Sequence, residues 1–131
     1  LNEAEKLVRE SKEFKESVTS YDYNADLVDF DYHNEKSAIL LKNEERRQTI
    51  LLLFSNQSAI PKTVSLNGNA KNVIVYDDAV YVLDSGEIQS FDFTGQELGA
   101  TQVADAYEKI LRSGKYFYLL GYDKINRTNV G

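Results

Sequence analysis

The 131-residue sequence predicts an all-β fold of about three short antiparallel sheets preceded by one amphipathic helix. Three observations carry this reading. Across residues 71–99, KNVIVYDDAVYVLDSGEIQSFDFTGQELG, runs rich in β-branched and aromatic residues are separated by the pairs Asp77-Asp78, Ser85-Gly86 and Thr94-Gly95, the pattern of a meander. Similar stretches open at Asn24-Ala25, Asn69-Ala70 and Asp105-Ala106, roughly forty residues apart, a spacing at which bladed β repeats are expected. A helical apolar period, finally, occupies residues 1–18.

In that first segment Ala4, Leu7, Val8, Ser11, Phe14 and Val18 recur at three and four residues, with charged residues filling the other faces. Asn2 and Glu5 offer a start resembling a capping box, and Glu5–Arg9 and Lys12–Glu16 have ion-pair spacing. Residues 18–23 then alternate in a way that suits a strand presenting Tyr21 and Tyr23. The expected division is therefore a helix over 1–18 and a blade domain over 19–131.

Within the blade domain, 27–32, 37–42, 48–54 and 60–66 are the strands expected of the first repeat, separated by polar breaks at 33–36, 43–46 and 55–58. The run Ile50, Leu51, Leu52, Leu53, Phe54 suits a strand buried on both faces. Pro61, the single proline, falls near the start of the fourth strand, where a missing N–H is tolerated at a sheet edge. Asp29 and Asp31 alternate with Val28 and Phe30, which puts both on one face, most simply the solvent face.

The second repeat is 71–103. Sliding the chain by 36 residues sets Ile74-Val75 on Ile110-Leu111, and the turn Asp77-Asp78 on Ser113-Gly114, which makes 107–112 a strand of a shorter third repeat. A short helix through Val103, Tyr107, Ile110 and Leu111 also satisfies the local period, but the internal match favours a strand. The last expected strand is 124–130.

Composition narrows the function classes. The formal charge of -6 disfavours a nucleic-acid backbone or an anionic membrane surface as partner. The absence of cysteine removes disulfides and thiolate chemistry, and no apolar run approaches the ~20 residues that span a bilayer. Asp22, Asn24 and Asp26 begin like a calcium-binding loop, but Leu27 and His33 stand where glycine and the bidentate glutamate belong. The one histidine cannot build a multi-histidine site, and neither a nucleophile elbow nor a phosphate loop occurs. No cofactor and no metal is expected. Adjacent carboxylates such as Asp77-Asp78 and Glu44-Glu45 point apart into water on a turn, which argues against paired acid-base chemistry.

The nine tyrosines are the most unusual feature of the composition. Tyr76, Tyr81, Tyr116, Tyr118 and Tyr122 suit seams between sheets, where a ring packs while its hydroxyl stays wet. The functional alternative is an aromatic surface for a peptide or carbohydrate, with Tyr76, Tyr81, Tyr116 and Tyr118 as the ligand-facing candidates.

Residues 79–99, AVYVLDSGEIQSFDFTGQELG, resemble the inner hairpin and turn of quinoprotein-like and WD40-like β-propeller repeats, and 115–125, KYFYLLGYDKI, resemble the same piece of a following blade. Over most of 25–130 the chain is similar to an uncharacterised bacterial family of propeller-like proteins tethered by an N-terminal membrane helix. That resemblance implies a partial β-propeller and an extracytoplasmic location in a tethered parent chain; a cytoplasmic location stays open. The chain departs from quinoprotein repeats in lacking tryptophan, which speaks against their blade docking and a quinone cofactor. A non-enzymatic binding or scaffold module for a protein, peptide or glycan is the expected function. The alternatives are a hydrolase using loop carboxylates from 21–31 and a purely structural domain. Three blades do not close a ring, so the ends are expected to self-associate or to continue into a longer propeller.

Overall fold

A computed structural model describes residues 25–43, 47–55, 60–66, 69–104 and 107–129. The helix expected over 1–18, the strand at 18–23 and the pair Glu44-Glu45 lie outside them, as do Asp22 and Asn24 of the calcium-like sequence.

Eleven strands form among these residues, and they fall into three separate sheets. The first is β1 (Asp26–His33), β2 (Lys36–Asn43), β3 (Gln48–Phe54) and β4 (Lys62–Leu66), antiparallel in that spatial order. The second repeats the plan with β5 (Asn72–Tyr76), β6 (Ala79–Asp84), β7 (Glu87–Asp92) and β8 (Glu97–Gln102). A third has three strands, β9 (Tyr107–Ser113), β10 (Tyr116–Gly121) and β11 (Ile125–Asn129). Tyr107, Ile110 and Leu111, which also fitted a short helix, lie in β9, so the helical alternative is not taken there. Each strand reverses into its neighbour, so the chain leaves one sheet by its last strand and enters the next by its first.

Turn chemistry sets the registers. Asn34 and Glu35 both take positive φ, 50° and 63°, the conformation that matches the twist of a two-residue hairpin. Asp77 at φ 54° opens the corresponding reversal between β5 and β6. In the third sheet Ser113 pairs with Tyr116, so the reversal is Gly114-Lys115 rather than Ser113-Gly114. The repeat offset is thus 37 residues, one more than the sequence match suggested, since Tyr76 pairs with Ala79 in the second sheet. That single residue matters, because side chains alternate between faces and a slip of one exchanges the two sets. In register, Val73 corresponds to Ile110, Val80 to Phe117 and Val82 to Leu119, and all six are buried.

The sheets stack face on face, with β1 against β5 and β5 against β9. Between the first and second sheets Ala38, Leu40, Leu51 and Leu53 meet Val73, Val75, Val80, Val82 and Phe91. Between the second and third, Tyr81, Leu83 and Ile88 meet Tyr107, Ile110, Phe117 and Leu119. Ile39, Leu41, Ile50 and Leu52 form another buried cluster on the opposite face of the first sheet, which is why β3 reads as apolar throughout. Burying a side chain of this size contributes about 1.5–3 kcal/mol, so apolar stacking is the main force holding blade to blade. Among the described residues an ion pair spans each seam at its rim, Lys36–Asp78 in the first and Lys71–Glu108, at 3.7 Å, in the second.

Asp29 and Asp31 do not face solvent. Both point across the first seam onto the outward amides of β5: Val73 N–H donates to Asp29 Oδ2 at 2.8 Å, and Val75 N–H donates to Asp31 Oδ2 at 2.6 Å. The two aspartates do share a face, but it is the inter-sheet face, because β5 has an unpaired edge there that needs acceptors. A register shift between Leu27 and Asp29 breaks the alternation at Val28, which packs into the same seam while Phe30 packs on the other side. At the far edge of the second sheet the β7–β8 turn is organised by Asp92, whose Oδ1 accepts from Thr94 N and Oγ1 and from Gln96 N. Gly95 sits in that turn at φ 91°, and a Cβ there would lie 3.4 Å from Val64 Cγ2 of the first sheet. No helix among the described residues is long and apolar enough to cross a membrane.

Candidate functional site

Where the first strands of the three sheets come together, they border an open concavity of about 530 Å³. Asp31 of β1 and Ile74, Val75 and Tyr76 of β5 form one side, and Leu111, Arg112 and Ser113 of β9 with Tyr118 of β10 form the other. Asp31, Ile74 and Leu111 all stand two residues before the last residue of their first strand, so the repeat itself delivers them to one place.

Arg112 is the structural centre of this region. Its guanidinium carbon lies 4.6 Å from the Tyr76 ring centroid, 5.2 Å from Tyr81 and 5.6 Å from Phe117. A cation among three π faces is attracted to each of them, and more strongly where water is excluded. Arg112 also donates from Nη1 to the Tyr81 hydroxyl at 2.5 Å and from Nε to the Gly114 carbonyl at 2.9 Å. Tyr81 meets Phe117 edge to face, with centroids 5.1 Å apart and planes at 75°. Tyr76 accepts from Gly114 N at 3.2 Å, which ties β5 to the β9–β10 turn. These bonds fix the wall rather than leaving it to side-chain choice.

Asp31 supplies the negative end of the concavity. Burial raises its carboxyl above the usual carboxylate range, and the amide hydrogen bond from Val75 offsets only part of that effect. Among the described residues no group of three or more metal-ligating side chains occurs.

The tyrosines singled out from the sequence are divided by the fold. Tyr76 and Tyr118 line the concavity. Tyr81 is buried in the seam beneath it, its hydroxyl taken by Arg112. Tyr116 stacks instead with Arg127, whose guanidinium carbon is 4.2 Å from its centroid. Tyr122 is fully exposed in the β10–β11 loop, so it belongs to no seam. Sequence reasoning passed over Arg112 and Leu111 as site residues, and it reached Asp31 only as one of the 21–31 carboxylates of the hydrolase alternative. For Arg112 a signal existed in the correct register: it takes the place of Val75, a seam position, and an arginine in an apolar seam needs π faces or acceptors around it.

Repeated antiparallel sheets joined last strand to first strand and stacked about their first strands define a blade-type protein with a propeller-like fold. The comparisons agree with this at the level of fold. The chain is similar to a crystal structure of BamB from Moraxella catarrhalis, with TM-score 0.56 and 13% identity over 79% of this chain and 33% of that one. It is also similar to a crystal structure of Hsv2 from Kluyvelomyces marxianus, with TM-score 0.56 and 9% identity over 82% of this chain and 34% of that one. The chain therefore spans about a third of the length of either structure. No family model matches the sequence, and no curated protein matches it.

Proposed function

We propose that this chain is a non-enzymatic binding or scaffold module of propeller type, and that it takes an extended segment of a partner protein in the concavity between β1, β5 and β9. The observation that carries the reading is the concavity itself: about 530 Å³, walled by Tyr76, Leu111 and Tyr118, with Asp31 and Arg112 as fixed polar points. A mostly apolar cleft of this size with a few converging polar groups is the usual form of a ligand site. Leu111 is 54% exposed beside it, an apolar side chain free to be covered. Hydrolysis by two carboxylates is less well supported, because Asp31 is the one carboxylate among the described lining residues and already accepts a backbone hydrogen bond. The resemblance to tethered bacterial propeller-like proteins supports an extracytoplasmic setting for this reading. A further blade over the open end of the stack belongs to the same reading.

Selection from a displayed random-peptide library, followed by titration of enriched peptides, tests the concavity. Peptides should bind the native chain and lose at least tenfold in affinity, about 1.4 kcal/mol, on Tyr118→Ala. Failure to enrich any peptide, or equal binding to Tyr118→Ala, would count against it.

A further inference from the structure

The third sheet ends the stack with one face uncovered among the described residues. On it stand Lys109, Leu111, Tyr118, Leu120, Ile125 and Arg127, brought to one side by the pairs Leu120–Lys109, Tyr118–Leu111, Leu120–Ile125 and Tyr118–Arg127. Leu111 and Ile125 are 54% and 71% exposed. The register shows what this face corresponds to. Leu111 and Tyr118 occupy the positions of Ile74 and Tyr81, which in the second sheet pack onto the third. One position departs from the repeat. Asp29 of β1 and Asn72 of β5 each accept the backbone N–H of the next sheet's first strand, from Val73 and Ile110 respectively, and the residue in that position on β9 is Lys109. A lysine has only donors, so it cannot accept as they do.

We propose that the open face of the third sheet seats a fourth blade of the same kind, and that this blade is chosen by an acidic rim: an antiparallel sheet with an apolar face that offers carboxylates to Lys109 and Arg127. The charge distribution supports the choice. Across 107–129, Lys109, Arg112, Lys115, Lys124 and Arg127 stand against Glu108 and Asp123, a net basic sheet in a chain of formal charge -6. Both existing seams already set one cross-sheet ion pair beside an apolar centre. A second copy of the chain fits poorly in either orientation. Face to face, Lys109 and Arg127 would meet their own kind; head to tail, the copy would need the outer face of the first sheet, where Leu41 and Leu52 are 1% and 0% exposed. Both solved structures of similar fold extend well past the matched region. The inference rests on the propeller reading of the stack. Leu111 and Tyr118 belong both to this face and to the concavity, so a blade and a peptide would compete for them, while peptide binding and blade association are read by separate measurements.

The probe is the chain itself with its open face recharged, Lys109→Glu with Arg127→Glu, mixed with the native chain and followed by sedimentation velocity in low salt. The mixture should form a heterodimer that neither protein forms alone. It should weaken at least tenfold in about 0.5 M salt, where the Debye length is only ~4 Å, and vanish when the native partner carries Leu111→Asp. If the double exchange unfolds the chain, Lys109→Glu alone, at an exposed position, should show the same association more weakly. Absence of a mixed species at about 100 μM, where even a contact as weak as ~1 mM would leave several per cent bound, overturns the proposal. So does a mixed species that Leu111→Asp leaves intact, or a native homodimer as tight as the mixture, which would make a second copy the occupant.

Discussion

Asp29 and Asn72 do the same work in successive sheets. Each stands four residues before the last residue of its first strand, and each accepts the outward backbone N–H of the next first strand, at 2.8 Å from Val73 and 2.7 Å from Ile110. They are also bonded to each other, since Asn72 Nδ2 donates to Asp29 Oδ2 at 2.7 Å. One polar chain therefore runs through all three sheets along their inner edge. Apolar stacking supplies most of the adhesion between blades, but it does not specify register. This chain does, because only one alignment places acceptor against amide.

Removing either link should cost stability out of proportion to the atoms lost. Asp29→Ala strands Val73 N–H and Asn72→Ala strands Ile110 N–H, so each should lower unfolding free energy by about 1–3 kcal/mol in urea titration. The double variant should cost less than the sum, because the two side chains share a bond. Strict additivity would show that the links act independently.

Arg112 should resist conservative exchange. Lysine keeps the charge but not the planar fork that bonds Tyr81 and Gly114 while lying among three rings. Arg112→Lys should therefore lose about 1–2 kcal/mol and shift the near-ultraviolet signal of the tyrosines, whereas an exposed exchange such as Lys109→Arg should do neither.

Two aspartates should give opposite pH dependence. Burial holds the Asp31 carboxyl above its ordinary value of 3.8, so its charge opposes folding as pH rises from that value through the raised one. Asp31→Asn, which keeps an oxygen for Val75 N–H, should match or exceed the native stability at pH 7 and lose that advantage near pH 3. For Asp92 the hydrogen bond from the Thr94 hydroxyl, with backbone bonds beside it, lowers the carboxyl below 3.8. Its contribution is present above the ordinary value and is lost as pH falls through the lowered one. Asp92→Asn should be less stable than the native chain at neutral pH and converge with it in acid. Thermal melts from pH 3 to 7 distinguish the two, and parallel curves would refute both assignments.

The sheets were legible from sequence because alternation and turn pairs are local signals: β5, β6 and β7 follow directly from Val73, Val75, Val80, Val82, Ile88 and Phe91 between Asp77-Asp78 and Ser85-Gly86. Stacking is not local, and there the reading failed in instructive ways. Asp29 and Asp31 look like solvent-facing residues because nothing nearby in sequence reveals the amides of β5, 44 residues on. The offset of 36 rather than 37 arose from matching residue types at the Ser113-Gly114 pair, where Gly114 at φ 57° actually begins the reversal. Tyr118 and Tyr81 look alike in sequence; only the stack decides that one is sealed in a seam and the other lines an opening.

Losing a ring from the second seam should test its apolar centre. Phe117 is 1% exposed between the second and third sheets, beside Tyr81 and Arg112. Phe117→Ala should cost about 3–5 kcal/mol and raise hydrogen exchange in β9 to β11 more than in β1 to β4. Uniform loosening across all strands would mean that the sheets do not open separately.

The central claim, that these sheets stack through their first strands, is tested most directly by amide hydrogen exchange at Val73, Val75 and Ile110. Their N–H groups bond to Asp29, Asp31 and Asn72 of the preceding sheet. Protection should approach that of amides inside the β6–β7 ladder, and Asp29→Ala should abolish it at Val73 while leaving Ile110 less affected. Rapid exchange at all three in the native chain, with the ladders themselves protected, would contradict the stacked arrangement.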